Sequence, residues 1–182
     1  MRSAMPAEAS LLGAIEAGGT KFVLGVGTGA DAIVDQVQIP TRDPETTLAE
    51  TVAFFRKHTG LAAIGIGSFG PLERDRSAAK WGHILATPKP GWSDCDLAGT
   101  IARALGVPVA FDTDVNAAAL AEARLGAARD AKVSVYVTIG TGIGGGVIAD
   151  GRIVGGTGHP ELGHMRPRRA PDAAGPIPSR WP

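Results

Sequence analysis

Apolar positions along the chain follow two periods, and their alternation divides it into short strands and three helices. Ala14 to Val26 with an internal glycine turn, then Gly27-Thr-Gly-Ala-Asp31, then Ala32 to Ile39, reads as three successive strands joined by turns. Asp43-Pro44 opens a helix, because Asp accepts an orphan N–H at the cap and Pro suits the first helical position. Leu48, Val52 and Phe55 recur at helical spacing to form one buried face, and Gly60 ends the segment. Leu61 to Ile66 is a strand that leaves through the loop Gly67-Ser-Phe-Gly-Pro-Leu72. After an irregular stretch, Leu97, Ile101 and Leu105 mark a second helix closed by Gly106, with Val107 to Phe111 a strand behind it. Ala117 to Leu125 is an alanine-rich helix stopped by Gly126, after which strands begin again at Val133.

The predicted order is β-β-β-α-β-α-β-α followed by β-β-β, which reads as an internal duplication with its boundary near Asp112. The expected organisation is an α/β chain with a first domain over residues 1–112, a partial second domain over 113–168 and an irregular Pro-rich tail over 169–182.

Two glycine-rich segments carry the candidate chemistry: Ala14-Ile-Glu-Ala-Gly-Gly-Thr-Lys21 and Thr138-Ile-Gly-Thr-Gly-Ile-Gly-Gly-Gly-Val-Ile148. Each is flanked on both sides by β-formers, so each reads as a hairpin whose tip exposes main-chain N–H groups with no Cβ in the way. Such a tip is suited to phosphate oxygens. Gly140, Gly142 and Gly145 also satisfy a G-x-G-x-x-G spacing. A dinucleotide site of that kind needs a helix after the glycines, whereas Val147 to Val154 places β-formers around an Asp-Gly turn, so the Rossmann reading is rejected.

Composition narrows the classes. The chain has 182 residues, 18 basic against 18 acidic side chains, and one cysteine. A balanced charge gives no electrostatic argument for nucleic acid or an anionic membrane, and the only local basic cluster is Arg166, Arg168 and Arg169. No segment approaches the apolar length needed to cross a bilayer, and the first residues lack a signal-peptide pattern, so a cytoplasmic protein is expected. Cys95 cannot form an internal disulfide and reads as a small packing residue.

Five motifs in order resemble the ROK sugar kinases and repressors, and most nearly the family's fructokinases. They are Ile15-Glu-Ala-Gly-Gly-Thr-Lys21, Gly67-Ser-Phe-Gly-Pro-Leu72 with Thr87-Pro-Lys-Pro-Gly-Trp92, Asp112-Thr-Asp-Val-Asn-Ala-Ala-Ala119, Thr138 to Gly146, and His159-Pro-Glu-Leu-Gly-His-Met165. The resemblance implies the actin-like, ribonuclease-H-like ATPase fold, and ATP with Mg2+ as cosubstrate and cofactor. It implies phosphate contacts from Gly18, Gly19, Thr20 and Lys21 in the first hairpin, and from Gly140, Thr141 and Gly142 in the second. Asp114 is implied as the base that takes the proton from a sugar hydroxyl, with Gly70, Asn116, Glu161 and His164 on the sugar. A carboxylate needs no unusual pKa for that step, since positioning dominates phosphoryl transfer. Small-molecule sugar and ATP are the partners implied, with a homodimer among the allowed assemblies and no nucleic acid or membrane.

The resemblance also implies departures. In full-length relatives His164 ligates zinc with a downstream cysteine-rich segment that this sequence lacks, so zinc is not expected here. Relatives continue with further helices and an adenine-side motif, so a truncated or frameshifted product, impaired in catalysis but able to bind sugar, is the alternative to an active fructokinase. A repressor of the same family is a third reading. It would need a helix-turn-helix domain before the first hairpin, for which the residues before Leu11 are too few.

Overall fold

The computed structural model describes residues 10–140, 142–155 and 162–164. Strands β1 (Leu11–Ala17), β2 (Lys21–Gly29) and β3 (Ala32–Pro40) form an antiparallel meander. Helix α1 (Pro44–Phe55) follows, capped by Asp43, whose carboxylate accepts the Thr46 N–H at 2.8 Å. Strand β4 (Leu61–Ser68) then lies parallel to β1. A two-stranded hairpin, β5 (His83–Ile84) and β6 (Cys95–Asp96), precedes helix α2 (Leu97–Leu105), which ends at Gly106 in the left-handed conformation, φ 68°. Strand β7 (Val109–Thr113) runs parallel to β4 and completes a five-stranded sheet of order β3-β2-β1-β4-β7.

That order, with an antiparallel meander on one side of β1 and parallel strands on the other, is the arrangement the resemblance implies, the actin-like, ribonuclease-H-like fold. The core fills one face of the sheet. Phe22, Leu24, Ile64, Phe55, Leu97, Ile101 and Trp92 are fully buried there, beneath α1 and α2. Trp92 anchors the long β4–α2 connection: its ring packs tilted on Phe22 and edge-to-face on Phe69, and its indole N–H donates to the Arg42 carbonyl at 2.8 Å.

Helix α3 (Asp114–Leu125) leads to a separate antiparallel sheet of β8 (Val133–Ile139), β9 (Ile143–Ala149) and β10 (Arg152–Ile153), with a 3-10 turn at Leu162–His164. The Asp-Gly turn appears where expected, with Asp150 and Gly151 both at positive φ between β9 and β10. A strand, not a helix, follows the glycines at 140–142, in agreement with the rejection of a dinucleotide fold.

Several boundaries differ from expectation: β1 starts at Leu11 rather than Ala14, β2 runs to Gly29 rather than Val26, and β7 spans Val109–Thr113 rather than Val107 to Phe111. Helix α1 ends at Phe55, and a turn carries the chain to Gly60. Strand β4 continues to Ser68 because Gly67 and Ser68 pair with Asp112 and Thr113. Helix α3 starts at Asp114 rather than Ala117, since Thr113 caps it by accepting the Asn116 N–H at 3.1 Å. Among the described residues no helix is long and apolar enough to cross a membrane.

Candidate active site

In the parallel part of the sheet, Ala17, Ser68 and Thr113 stand in one row across β1, β4 and β7. The next residue of each strand, Gly18, Phe69 and Asp114, therefore leaves the same carboxyl edge, where open α/β sheets bind ligands. Adjacent strands are about 4.8 Å apart, so the start of the first glycine turn and Asp114 lie roughly 10 Å from each other.

The first turn is held firmly. The Gly18 N–H closes on the Lys21 carbonyl at 2.9 Å, so exposed Gly19 and Thr20 form the tip. Thr41 clasps the turn from behind, its hydroxyl donating to Gly18 O at 2.7 Å and its N–H to Thr20 O at 2.9 Å. Lys89 of the Thr87–Trp92 motif in turn donates to Thr41 O at 3.3 Å. Lys21 is exposed and donates across to Gln38 Oε1 on β3 at 3.2 Å, so in this conformation its ammonium points along the meander.

The second turn is one residue shorter than the first. Gly140 N–H closes on Gly142 O at 2.9 Å, and both glycines are exposed; Thr141 between them lies outside the described residues. Its position is set by close packing of β9 on α3. A Cβ at Gly144 would lie 2.8 Å from Val115 Cγ1, and one at Gly146 would lie 2.7 Å from Val115 O, so only glycine lets the strand approach the helix that begins with Asp114.

Asp114 occupies the first position of α3, where the helix dipole favours a negative charge, and its carboxylate accepts the Val115 N–H at 2.8 Å. Asn116 is 1% exposed and its amide donates to Asp112 Oδ1 at 2.7 Å. Its side-chain N–H is thus engaged inside the fold in this conformation. Gly70 lies on the part-buried loop after β4, and the Gly70–Pro71 peptide is cis. Glu161 lies outside the described residues, and for His164 the backbone of the 3-10 turn is described but not the side chain.

Two residues join the site that sequence reasoning passed over. Glu16, exposed on β1, pairs with Gly67 and so stands in the row that continues to Asp112. Its position two residues before Gly18, where the first glycine turn begins, was the signal available. Arg74, on the loop after β4, pairs with Asp112 at 3.0 Å. Nothing local in the sequence marks that pair, since 38 residues separate the partners.

Among the described residues no group of three or more His, Cys, Asp or Glu side chains converges as a metal cluster. Cys95 is half-buried against the core, where burial and then the charge of Asp96 push its thiol up to about 11.

Comparison with known proteins agrees with this geometry. The ROK family model matches residues 12–176. The chain is 46% identical over 173 residues to a fructokinase of Zymomonas mobilis, covering 92% of this chain and 58% of that protein. It is 47% identical over 161 residues to a fructokinase of Pediococcus pentosaceus, covering 88% and 56%. Among solved structures, a ROK hexokinase from Thermus thermophilus superposes with TM-score 0.71 at 36% identity, covering 85% of this chain and 53% of that one. A ROK family glucokinase from Streptomyces griseus, in complex with glucose and AMPPNP, gives TM-score 0.73 at 27% identity over 90% and 52%. The chain thus spans little more than half the length of the curated relatives it matches. With the motifs, the sheet order and these matches in agreement, the chain belongs to the ROK family.

Proposed function

We propose that this chain carries the catalytic half-site of an ATP-dependent hexose kinase, with D-fructose as the sugar and fructose 6-phosphate as the product. The observation that carries the reading is the convergence of the first glycine turn and Asp114 on one carboxyl edge, with the second glycine turn held against the helix that Asp114 begins. The identity of 46% and 47% to two fructokinases supports the choice of sugar.

In this reading residues 1–112 supply the first phosphate turn and residues 113–168 the base and the second turn. Gly18 and Gly140 close their turns, so the contacts to phosphate oxygens come from Gly19, Thr20, Thr141 and Gly142. Lys21 reaches the phosphates only by leaving Gln38. Asp114 orients the sugar's 6-hydroxyl and accepts its proton as that oxygen bonds to the γ-phosphorus; the bond to the β,γ-bridging oxygen breaks and ADP leaves. Gly70, Glu161 and His164 contact sugar hydroxyls. Mg2+ would neutralise charge on the phosphates, and Glu16 and Asp114 would be the carboxylates that meet its hydration shell. The working compartment is the cytoplasm.

The test is fructose phosphorylation by the purified chain with millimolar MgATP, beside a thermal-shift titration with each substrate. Turnover with saturable stabilisation supports the kinase. Stabilisation by fructose without turnover makes the chain a sugar-binding unit, and neither response to any hexose refutes the proposal.

A further inference from the structure

We propose that Arg74 and Asp112 form a positioning brace that fixes the first turn of α3, and through it Asp114, against the loop that leaves β4. The proposal rests on the reading of Asp114 as the base. A single oxygen, Asp112 Oδ1, accepts from three directions: Arg74 Nη1 at 3.0 Å, Asn116 Nδ2 at 2.7 Å and the Thr113 N–H at 2.7 Å. The donors come from the post-β4 loop, the first turn of α3 and the end of β7. Asn116 is 1% exposed, the Arg74 side chain 13% and the Asp112 side chain 27%, so the group is partly withdrawn from water, which strengthens a charge-assisted bond and leaves its loss less compensated.

The brace reaches both sides of the site. Asn116 lies against β9, since a Cβ on Gly146 would sit 3.0 Å from Asn116 Oδ1, and β9 continues from the second glycine turn. Arg74 follows two residues after Leu72, whose backbone bridges to Ile84, so the guanidinium is mounted on a segment tied to the core. Asp114 is flanked by anchored neighbours, with Thr113 capping the helix before it and Asn116 pinned to Asp112 after it. A carboxylate that must meet one hydroxyl is sensitive to this: a misplacement near 1 Å can cost about a hundredfold in rate.

Arg74 and Asp112 do not themselves contact the reacting atoms, so the test separates positioning from folding. Arg74→Met, Arg74→Lys and Asp112→Asn are compared with the parent chain by amide hydrogen exchange and by fructokinase kinetics. In Arg74→Met, protection at Val115 and Asn116 should fall about tenfold or more while amides in β1 and β4 keep theirs. The kcat should fall at least tenfold with KM for fructose within about twofold, and Arg74→Lys, which retains the charge, should recover most of both. Unchanged protection in the first turn of α3 overturns the proposal, as does loss spread evenly over the sheet. Should Arg74→Met fail to fold, Asp112→Asn decides by the same local readout. A parent chain without turnover bears on the kinase reading and not on the brace, which the exchange result then judges alone.

Discussion

Gly67→Ala is a small change that should move Asp114. Gly67 is buried in β4, between Glu16 on β1 and Asp112 on β7, where α3 crosses the sheet edge. An added Cβ would lie 2.9 Å from Ala117 Cβ, 3.4 Å from Asp114 Cα and 3.6 Å from the Thr113 carbonyl. Carbon atoms pack at about 3.5–4.0 Å, so Ala117 must retreat by roughly 0.6–1 Å. Ala117 Cβ has no rotamer to yield with, and the retreat must be made by the helix itself. Overpacking of this kind costs about 1–3 kcal/mol, offset by some 0.4–1 kcal/mol because alanine restricts the unfolded chain. A net loss near 1–2 kcal/mol lowers Tm by about 2–8 °C at this chain length.

Ala117→Gly separates the clash from other effects. Alone it should cost about 0.5–1 kcal/mol in helix propensity. Combined with Gly67→Ala it removes the opposing methyl, so the double variant should be no less stable than Ala117→Gly alone, with a coupling of about 1 kcal/mol or more. Urea unfolding followed by far-UV circular dichroism measures the cycle. A Gly67→Ala variant within 0.5 kcal/mol of the parent, as an order-of-magnitude threshold, or strictly additive losses, would refute the packing argument. Whatever turnover the parent has should fall in the single variant and return in the double.

Asp114→Asn should lower phosphoryl transfer by more than about a hundredfold with sugar affinity nearly unchanged, since the amide keeps the shape but accepts no proton; near-normal turnover would remove Asp114 as base. Asp43 has its carboxyl held below the usual range, first by the Thr46 N–H and then by the Thr46 hydroxyl. A lowered folded value means its contribution is present above the unfolded value near 3.9 and is lost as pH falls through the folded one, so the parent should lose stability more steeply than Asp43→Asn between about pH 5 and pH 2. Equal acid limbs in parallel thermal melts would contradict that. Cys95, with its thiol raised to about 11, should label slowly with a disulfide reagent at pH 8 and speed up steadily with further rise in pH, whereas rapid labelling of the folded chain would show an accessible, acidic thiol.

What the sequence made legible was what local chemistry determines. Asp43-Pro44 and Gly106 bound their helices as expected, and both glycine turns are hairpin tips because β-formers flank them. The start of α3 was misjudged because Asp114, Val115 and Asn116 are weak helix formers, and only the Thr113 hydroxyl on the Asn116 N–H makes that turn helical. Strands β5 and β6 have two residues each and exist by pairing His83 with Asp96 and Ile84 with Cys95, a contact across the chain that no local period announces. The orientation of β8 was equally hidden. Its alternation is plain, but Ser134, Tyr136 and Thr138 lie on the half-buried side while Val133, Val135, Val137 and Ile139 face outward, 49–78% exposed. Period alone cannot tell which side a sheet will cover.

The inner face of that small sheet explains why the second turn lies beside the helix that Asp114 begins. Across β8 and β9, Tyr136 opposes Gly146 and Thr138 opposes Gly144. The two glycines vacate the space that Val115 and Asn116 fill, so the residues on either side of the space are the immediate successors of Asp114. Any side chain at Gly144 or Gly146 would push the strand and helix apart, and with them the turn and the carboxylate. The first turn is tied to the opposite end of the same row, through β1 and β4, by hydrogen bonds that do not depend on side chains. One turn is thus referenced to Asp114 through a backbone ladder and the other through glycine packing. The spacing between them is set by the rigid elements and not by the loops that present them, which is the arrangement positioning catalysis requires.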